Sequence, residues 1–223
     1  MELSARLKSV YHLLSEGCIM IDVGTDHCHL PIFALQQGRI QKAYACDVRK
    51  GPLENGRAIA EMCGLSDRIT TLLSNGLAAL NQAQQLEIDT VVCAGMGGTL
   101  IQNIIAAAPF LKDTRKTLIL QPQKAIFELK EYLAAEGFEI EQEVLSQEGN
   151  KLYQCMRVRF SGIAHQAPNP FMKLREDPLF KVYADAQHRR LAKQISGMEQ
   201  GGIPDRERYR EACLRLQQLE EVE

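Results

Sequence analysis

The order of regular elements constrains this chain most. Cys18–Val23 (CIMIDV) reads as a buried strand, Leu30–Gln37 as a helix ending at Gly38, and Ala43–Cys46 as a short strand. Pro52–Met62 reads as a helix, with proline in its first turn and Gly64 just past its end. Ile69–Leu73, Ile88–Ala94 and Thr117–Leu120 are further strand-like runs, and Leu100–Ala108 and Lys124–Ala135 are helical. This alternation predicts a parallel sheet covered by helices on both faces. It then stops. Phe138–Leu145 and Leu152–Phe160 both read as strands. The stretch Ser146–Lys151 between them contains Glu148-Gly149-Asn150, a hairpin signal, and leaves no room for a helix. The expected fold class is therefore α/β, a parallel sheet finishing in an antiparallel hairpin.

Both ends add helices. Leu3, Leu7, Val10 and Leu14 recur at helical spacing ahead of the first strand. Ser161–Pro170 (SGIAHQAPNP) has two prolines and no formal charge, and reads as a linker. Beyond it, one helix is expected over Pro178–Met198. A break follows at Gly201-Gly202-Ile203-Pro204, then a second helix from Asp205 onward. Tyr209, Cys213, Leu216 and Leu219 form one apolar seam, which Phe180, Ala184, Leu191, Ile195 and Met198 can face. That pattern predicts an antiparallel helical hairpin. The expected domains are 1–160, the sheet domain, and 161–223, the linker and C-terminal helical hairpin.

Composition narrows the class further. The 223 residues are 45% hydrophobic and 24% charged, an ordinary globular balance. No apolar run approaches the roughly 20 residues that span a bilayer, and Met1-Glu2-Leu3-Ser4-Ala5-Arg6 does not open a signal peptide. No membrane partner is expected. The seven cysteines form no CxxC pair, and several lie in apolar runs, as in Val91-Val92-Cys93-Ala94. Buried free thiols in a reducing, cytoplasmic setting fit this usage. The net charge of −2 rules out a uniformly basic nucleic-acid binder but leaves room for a local basic face.

Candidate site residues fall at successive strand ends, where open α/β sheets bind ligands. The first strand ends in Asp22-Val23-Gly24-Thr25-Asp26-His27, where Gly24 permits a sharp turn and close approach of a ligand. Asp47 ends the second strand, in position to accept both hydrogen bonds of a ribose diol. Asn75-Gly76 follows the third, where a polar side chain and backbone amides suit an adenine edge. Ala94-Gly95-Met96-Gly97-Gly98 follows the fourth, with glycines expected to expose backbone N–H groups. Gln121-Pro122 follows the fifth. The cofactor-binding set is Asp22, Gly24, His27, Asp47, Asn75, Gly76, Ala94, Gly95 and Met96. A nicotinamide dehydrogenase is disfavoured, since the G-x-G-x-x-G pattern is missing and such sheets rarely end in a hairpin.

These motifs resemble the TrmK family. Asp22-Val23-Gly24-Thr25-Asp26-His27 with Leu30-Pro31, then Gly51-Pro52-Leu53, Gly76-Leu77, Ala94-Gly95-Met96-Gly97-Gly98 and Leu118-Ile119-Leu120-Gln121-Pro122 carry the likeness, over roughly residues 1 to 160. The resemblance implies a Rossmann-like sheet that binds S-adenosyl-L-methionine (SAM), with a coiled-coil-like C-terminal domain helping to hold tRNA. It also implies methylation of N1 of adenine-22 in tRNA. Asn75 stands where the family often has Asp, and Cys28 and His29 replace a small residue and an aromatic.

Methyl transfer is an in-line displacement, so alignment matters most. Adenine N1 has a free lone pair. After attack the ring is cationic, and a nearby carboxylate can stabilise it or take the N6 proton. Asp26 is the candidate catalytic residue, and His27 either assists or shapes the loop. Asp26 and His27 also fit a structural role as helix caps. No metal is expected, because the adjacent side chains of Asp26-His27-Cys28-His29 point apart. In the tail, Arg189, Arg190 and Lys193 with His188 form a basic cluster suited to phosphates, or simply a solvated helix face. A small-molecule methyltransferase and a non-catalytic SAM- or RNA-binding protein are the alternatives. Oligomeric state is not legible.

Overall fold

A computed structural model describes residues 2–203 and 205–222. Strands β1 (Cys18–Val23), β2 (Ile40–Asp47), β3 (Ile69–Leu73), β4 (Thr90–Met96), β5 (Thr117–Pro122), β6 (Phe138–Glu148) and β7 (Lys151–Phe160) form one sheet. Its order is β3-β2-β1-β4-β5-β7-β6. The first five strands are parallel. β7 inserts antiparallel between β5 and β6. The expected parallel sheet with a terminal hairpin is thus the fold observed. Glu148 pairs with Lys151 across the two-residue turn Gly149-Asn150, with Gly149 at φ +56°.

Helices α1 (Ala5–Leu13), α2 (His29–Gln36), α3 (Lys50–Met62), α4 (Gln82–Glu87), α5 (Gly98–Ala106) and α6 (Ile126–Ala135) accompany the sheet. Consecutive strand residues feed opposite faces, as the period of two requires. Val91, Leu118 and Leu120 pack with Ile101, Ile104, Leu129 and Leu133 of α5 and α6. Val92 and Ile119 pack with Val10, Leu13, Ile32, Leu35 and Ala60 of α1, α2 and α3. Covering both faces removes the sheet from water and makes its strands continuously apolar.

The structure adds α4, which apolar periodicity does not announce because it buries no residue. Its signal is a capping box. The Asn81 side chain accepts from Gln84 N–H, and the Gln84 side chain accepts from Asn81 N–H. The helix claims Ile88 as its C-cap, so β4 begins at Thr90 rather than Ile88 and runs on to Met96.

The chain divides into two compact units, 1–167 and 168–223. Residues at the start of the expected linker are stitched to the first unit. Ser161 and Gly162 N–H donate to Gly137 O, and His165 N–H donates to Ala134 O. In the second unit, α7 (Phe180–Gln200) and α8 (Arg206–Glu220) pair. Phe180, Tyr183, Ala184 and Leu191 are buried on α7, and Ala212 and Leu219 on α8. Tyr209, Cys213 and Leu216 are only half-buried. The buried residues of α8 are therefore Leu219, which the expected seam includes, and small Ala212, which a reading weighted towards large apolar side chains passes over. Pro204 of the expected break, and Glu223, lie outside the described residues.

Candidate active site

The strand order reverses between β1 and β4, whose connections leave in opposite directions. The resulting crevice lies at the carboxyl ends of the parallel strands. The turn after β1 enters it under backbone strain. Gly24, Asp26 and Cys28 have φ of +72°, +53° and +56°. Only glycine adopts that region freely, and strained non-glycine residues cluster at functional sites. Gly24 and Thr25 N–H both donate to Cys46 O, at 2.8 and 3.0 Å, tying this turn to β2. A Cβ on Gly24 would lie 3.2 Å from Met96 Cε, so the β1 and β4 turns also meet.

Asp22 is buried beneath the turn and accepts from the Thr25 hydroxyl at 2.7 Å. Burial pushes its carboxyl up to about 7, against the Thr25 bond and the positive charge of Arg6. Asp47, also buried, is shifted the other way. Its burial alone would raise the pKa. The Arg49 backbone N–H (2.9 Å) and guanidinium (3.3 Å) on Oδ1, with Asp26 N–H (3.4 Å) on Oδ2, outweigh that and lower it. Asp47 is thus a charged acceptor. Two of its three bonds are long, and a carboxylate has about four lone-pair sites, which leaves capacity for a diol.

The Asp26 side chain is exposed. Its Oδ1 lies 3.2 Å from Arg49 Nη2 and 3.8 Å from His27 Nε2. The N-cap of α2 is Cys28, and no side chain caps that helix. The capping role considered for Asp26 and His27 is therefore not the one they play.

Ser74 fixes the β3 turn: its N–H donates to Asp47 O, its hydroxyl donates to Gly76 O, and it accepts from Ala79 N–H. Asn75 is exposed beside it. Gly76 O also accepts from Cys46 Sγ. Val48 and Leu73, at the ends of neighbouring strands, are large apolar residues left 64% and 60% exposed at the same rim. Sequence patterning gave no reason to single them out.

The glycine-rich run after β4 departs from expectation. Gly95 N–H is taken by Gln121 Oε1 at 3.0 Å, and Gly98 N–H by Lys124 O at 2.8 Å. These amides are not free for a ligand. Gly98 is instead a close-approach residue, since its Cβ would stand 2.2 Å from Ala125 O. Ala94 is half-buried against the core. Two contributors were missed, Arg49 and Arg6. Arg6 reaches Gln121 Oε1 from α1 at 3.1 Å.

Burial raises the site's thiols, Cys28 to about 11 and Cys46 to about 12, so neither is a thiolate near neutral pH. The fold and the switch point define a Rossmann-like α/β protein with a charged carboxylate, Asp47, at the end of β2.

Residues 3–156 match the family described as a methyltransferase domain. The chain is 26% identical over 234 residues to the tRNA (adenine(22)-N(1))-methyltransferase of Bacillus subtilis (strain 168), covering 100% of this chain and 97% of that protein. The crystal structure of Streptococcus pneumoniae Sp1610, a candidate tRNA (m1A22) methyltransferase, matches with TM-score 0.83 at 30% identity over 99% of each chain. Sp1610 in complex with S-adenosyl-L-methionine gives TM-score 0.79 over 99% of each chain. The B. subtilis m1A22 tRNA methyltransferase TrmK gives 0.82 at 26% identity, covering 99% of this chain and 98% of that one. The chain belongs to the methyltransferase domain family and, within it, to the TrmK family.

Proposed function

We propose that this protein is a SAM-dependent tRNA methyltransferase acting on N1 of adenine-22. The observation that carries the reading is the crevice at the β1/β4 switch point, where Asp47 is held charged and the Gly24 turn has no side chain. The match to TrmK proteins along the whole chain supports the same substrate.

The residues present fit SAM. Asp47 offers carboxylate oxygens to the ribose hydroxyls. Asn75 and the Gly76 backbone take the adenine edge, between the exposed apolar surfaces of Val48 and Leu73. Gly24 and Met96 admit the methionine end, with Asp22 and His27 shaping the turn around it. When bound, SAM supplies a methyl group on a sulfonium. Asp26, exposed on the strained turn, stabilises the cationic adenine or accepts its N6 proton. Arg49 bridges Asp26 and Asp47 and so couples donor binding to the position of the acceptor carboxylate. The base must be unpaired or turned out of its helix, because N1 lies on the pairing edge.

The second unit is assigned to tRNA, with Arg189, Arg190 and Lys193 exposed on α7 as phosphate contacts. The protein acts in the cytoplasm, where its substrate is found. No described helix is long and apolar enough to cross a membrane.

The test is incubation with labelled SAM and unmodified tRNA, followed by nucleoside mass spectrometry. The expected product is 1-methyladenosine at position 22. Methylation of small molecules alone, or none at all, overturns the reading. Asp26→Asn is expected to lower turnover roughly 100-fold, within the range for a lost acid–base group, with SAM affinity kept. Unchanged turnover would make Asp26 structural. Asp47→Ala removes two charge-assisted hydrogen bonds and is expected to weaken SAM and S-adenosylhomocysteine binding by about 100-fold in calorimetry. Equal binding by wild type and variant would remove Asp47 from the site.

A further inference from the structure

Arg6 sits in the first turn of α1, yet its guanidinium ends at the carboxyl edge of β4 and β5. Nη1 donates to Gln121 Oε1 at 3.1 Å, across 115 residues of sequence. That same oxygen accepts Gly95 N–H at 3.0 Å, while Gln121 Nε2 donates to Pro122 O at 3.2 Å. Gln121 is fully buried. Three bonds therefore fix both the place and the orientation of its amide. Arg6 also packs directly on the turn, since a Cβ on Gly95 would lie 3.2 Å from Nη1. Gly95 marks the irregularity where β4 shifts register against β5. A strand end that leaves its register is held in one shape by what it bonds to.

The arginine is itself held from the far end of the sheet. Its backbone N–H donates to Glu148 Oε1 at 2.7 Å, and the Ser4 side chain also bonds Glu148. Glu148 is the last residue of β6, at the hairpin tip. A continuous line of contacts thus runs from hairpin tip to α1, to Gln121, to the Gly95 turn. On the reading above, Asp47 at the end of β2 and Asn75 in the turn after β3 take the nucleoside half of the crevice. The ends of β1 and β4 are then left beside the reacting methyl group and its acceptor.

We propose that Arg6 is a positioning residue for methyl transfer: anchored by Glu148, it fixes Gln121 and through it the Gly95 turn that flanks the reacting atoms. The proposal rests on the methyltransferase reading above. Releasing the turn misaligns an in-line displacement while Asp47, Asn75 and Gly24 still hold the cofactor. A misplacement of about 1 Å costs on the order of 100-fold in rate.

The experiment measures single-turnover rate, KM for tRNA and SAM affinity for wild type, Arg6→Gln, Arg6→Lys, Glu148→Ala and the double variant Arg6→Gln/Glu148→Ala, with thermal melting of each. Formation of 1-methyladenosine by wild type tests the underlying reading separately from the variants. Arg6→Gln is expected to lose roughly 100-fold in rate, with SAM affinity changed far less than the rate and tRNA KM unchanged. Arg6→Lys keeps one donor for Gln121 and recovers most of the rate. Glu148→Ala, at the hairpin tip, lowers the rate in the same direction by roughly tenfold. Its effect shrinks in the double variant, because the two act through one line of contacts. Should Arg6→Gln fail to fold, Arg6→Lys and Glu148→Ala carry the test. Wild-type rates in Arg6→Gln and Glu148→Ala overturn the proposal. So does a loss confined to tRNA KM, which would make Arg6 an RNA contact instead.

Discussion

A chain ending at Ala167 is expected to bind SAM like the intact protein and to lose most of its affinity for tRNA. Both apolar clusters of the first unit lie wholly between Leu3 and Phe160, so its core does not depend on the second. The second unit carries as many Lys and Arg as Asp and Glu from Ser161 onward, but the charges are not evenly spread. Arg189, Arg190 and Lys193 are exposed along α7. Each phosphate contact releases counterions, so three contacts weaken binding by roughly 40-fold between 50 and 200 mM salt. Filter binding across that range should show the slope in the intact chain. Neutralising the three residues together should flatten it. A shortened chain that methylates tRNA as efficiently as the whole would move RNA recognition onto the sheet domain and leave the helical hairpin another role.

Gly98→Ala is expected to destabilise the protein by about 3 kcal/mol or more, at the upper end for overpacking. The added Cβ meets backbone on every near side: Ala125 O at 2.2 Å, and Ala125 C and Lys124 O at 3.0 Å. No side-chain rotation relieves that. Either the α5 start or the β5–α6 turn must move, breaking the bond from Gly98 N–H to Lys124 O. At about 2–4 °C per kcal/mol for a chain of this size, the melting temperature should fall by roughly 10 °C. Gly51→Ala is the control, since nothing lies within 4 Å of its Cβ position and its φ is not positive. A Gly98→Ala melt matching that control would refute the close-approach role.

Three glycines in the Gly95–Gly98 run stood out, and their place at a strand end pointed to the right edge of the sheet. The reason assigned to them was incomplete. Gly95 and Gly98 turn their N–H groups to Gln121 and Lys124, partners from a different strand and turn that spacing along the chain cannot reveal. In the same way α4 was missed because it buries nothing, although its Asn81–Gln84 capping box was present to be read.

Sequence alone determined the class of sheet. Hydrophobic runs of strand length alternating with helical ones require faces covered on both sides, and a hairpin signal without room for a helix forces the antiparallel ending. Sequence also put Asp22, Gly24, Asp26, Asp47 and Asn75 at one edge, because in a parallel sheet every strand's carboxyl end lies on the same side. Tertiary structure alone decided which of these groups are charged, strained or already bonded. Burial raises Asp22, and Arg49 lowers Asp47. Arg6 meets Gln121 across 115 residues and Glu148 across 142. Contacts of that range arise when the sheet brings distant segments together, and nothing local in the chain encodes them.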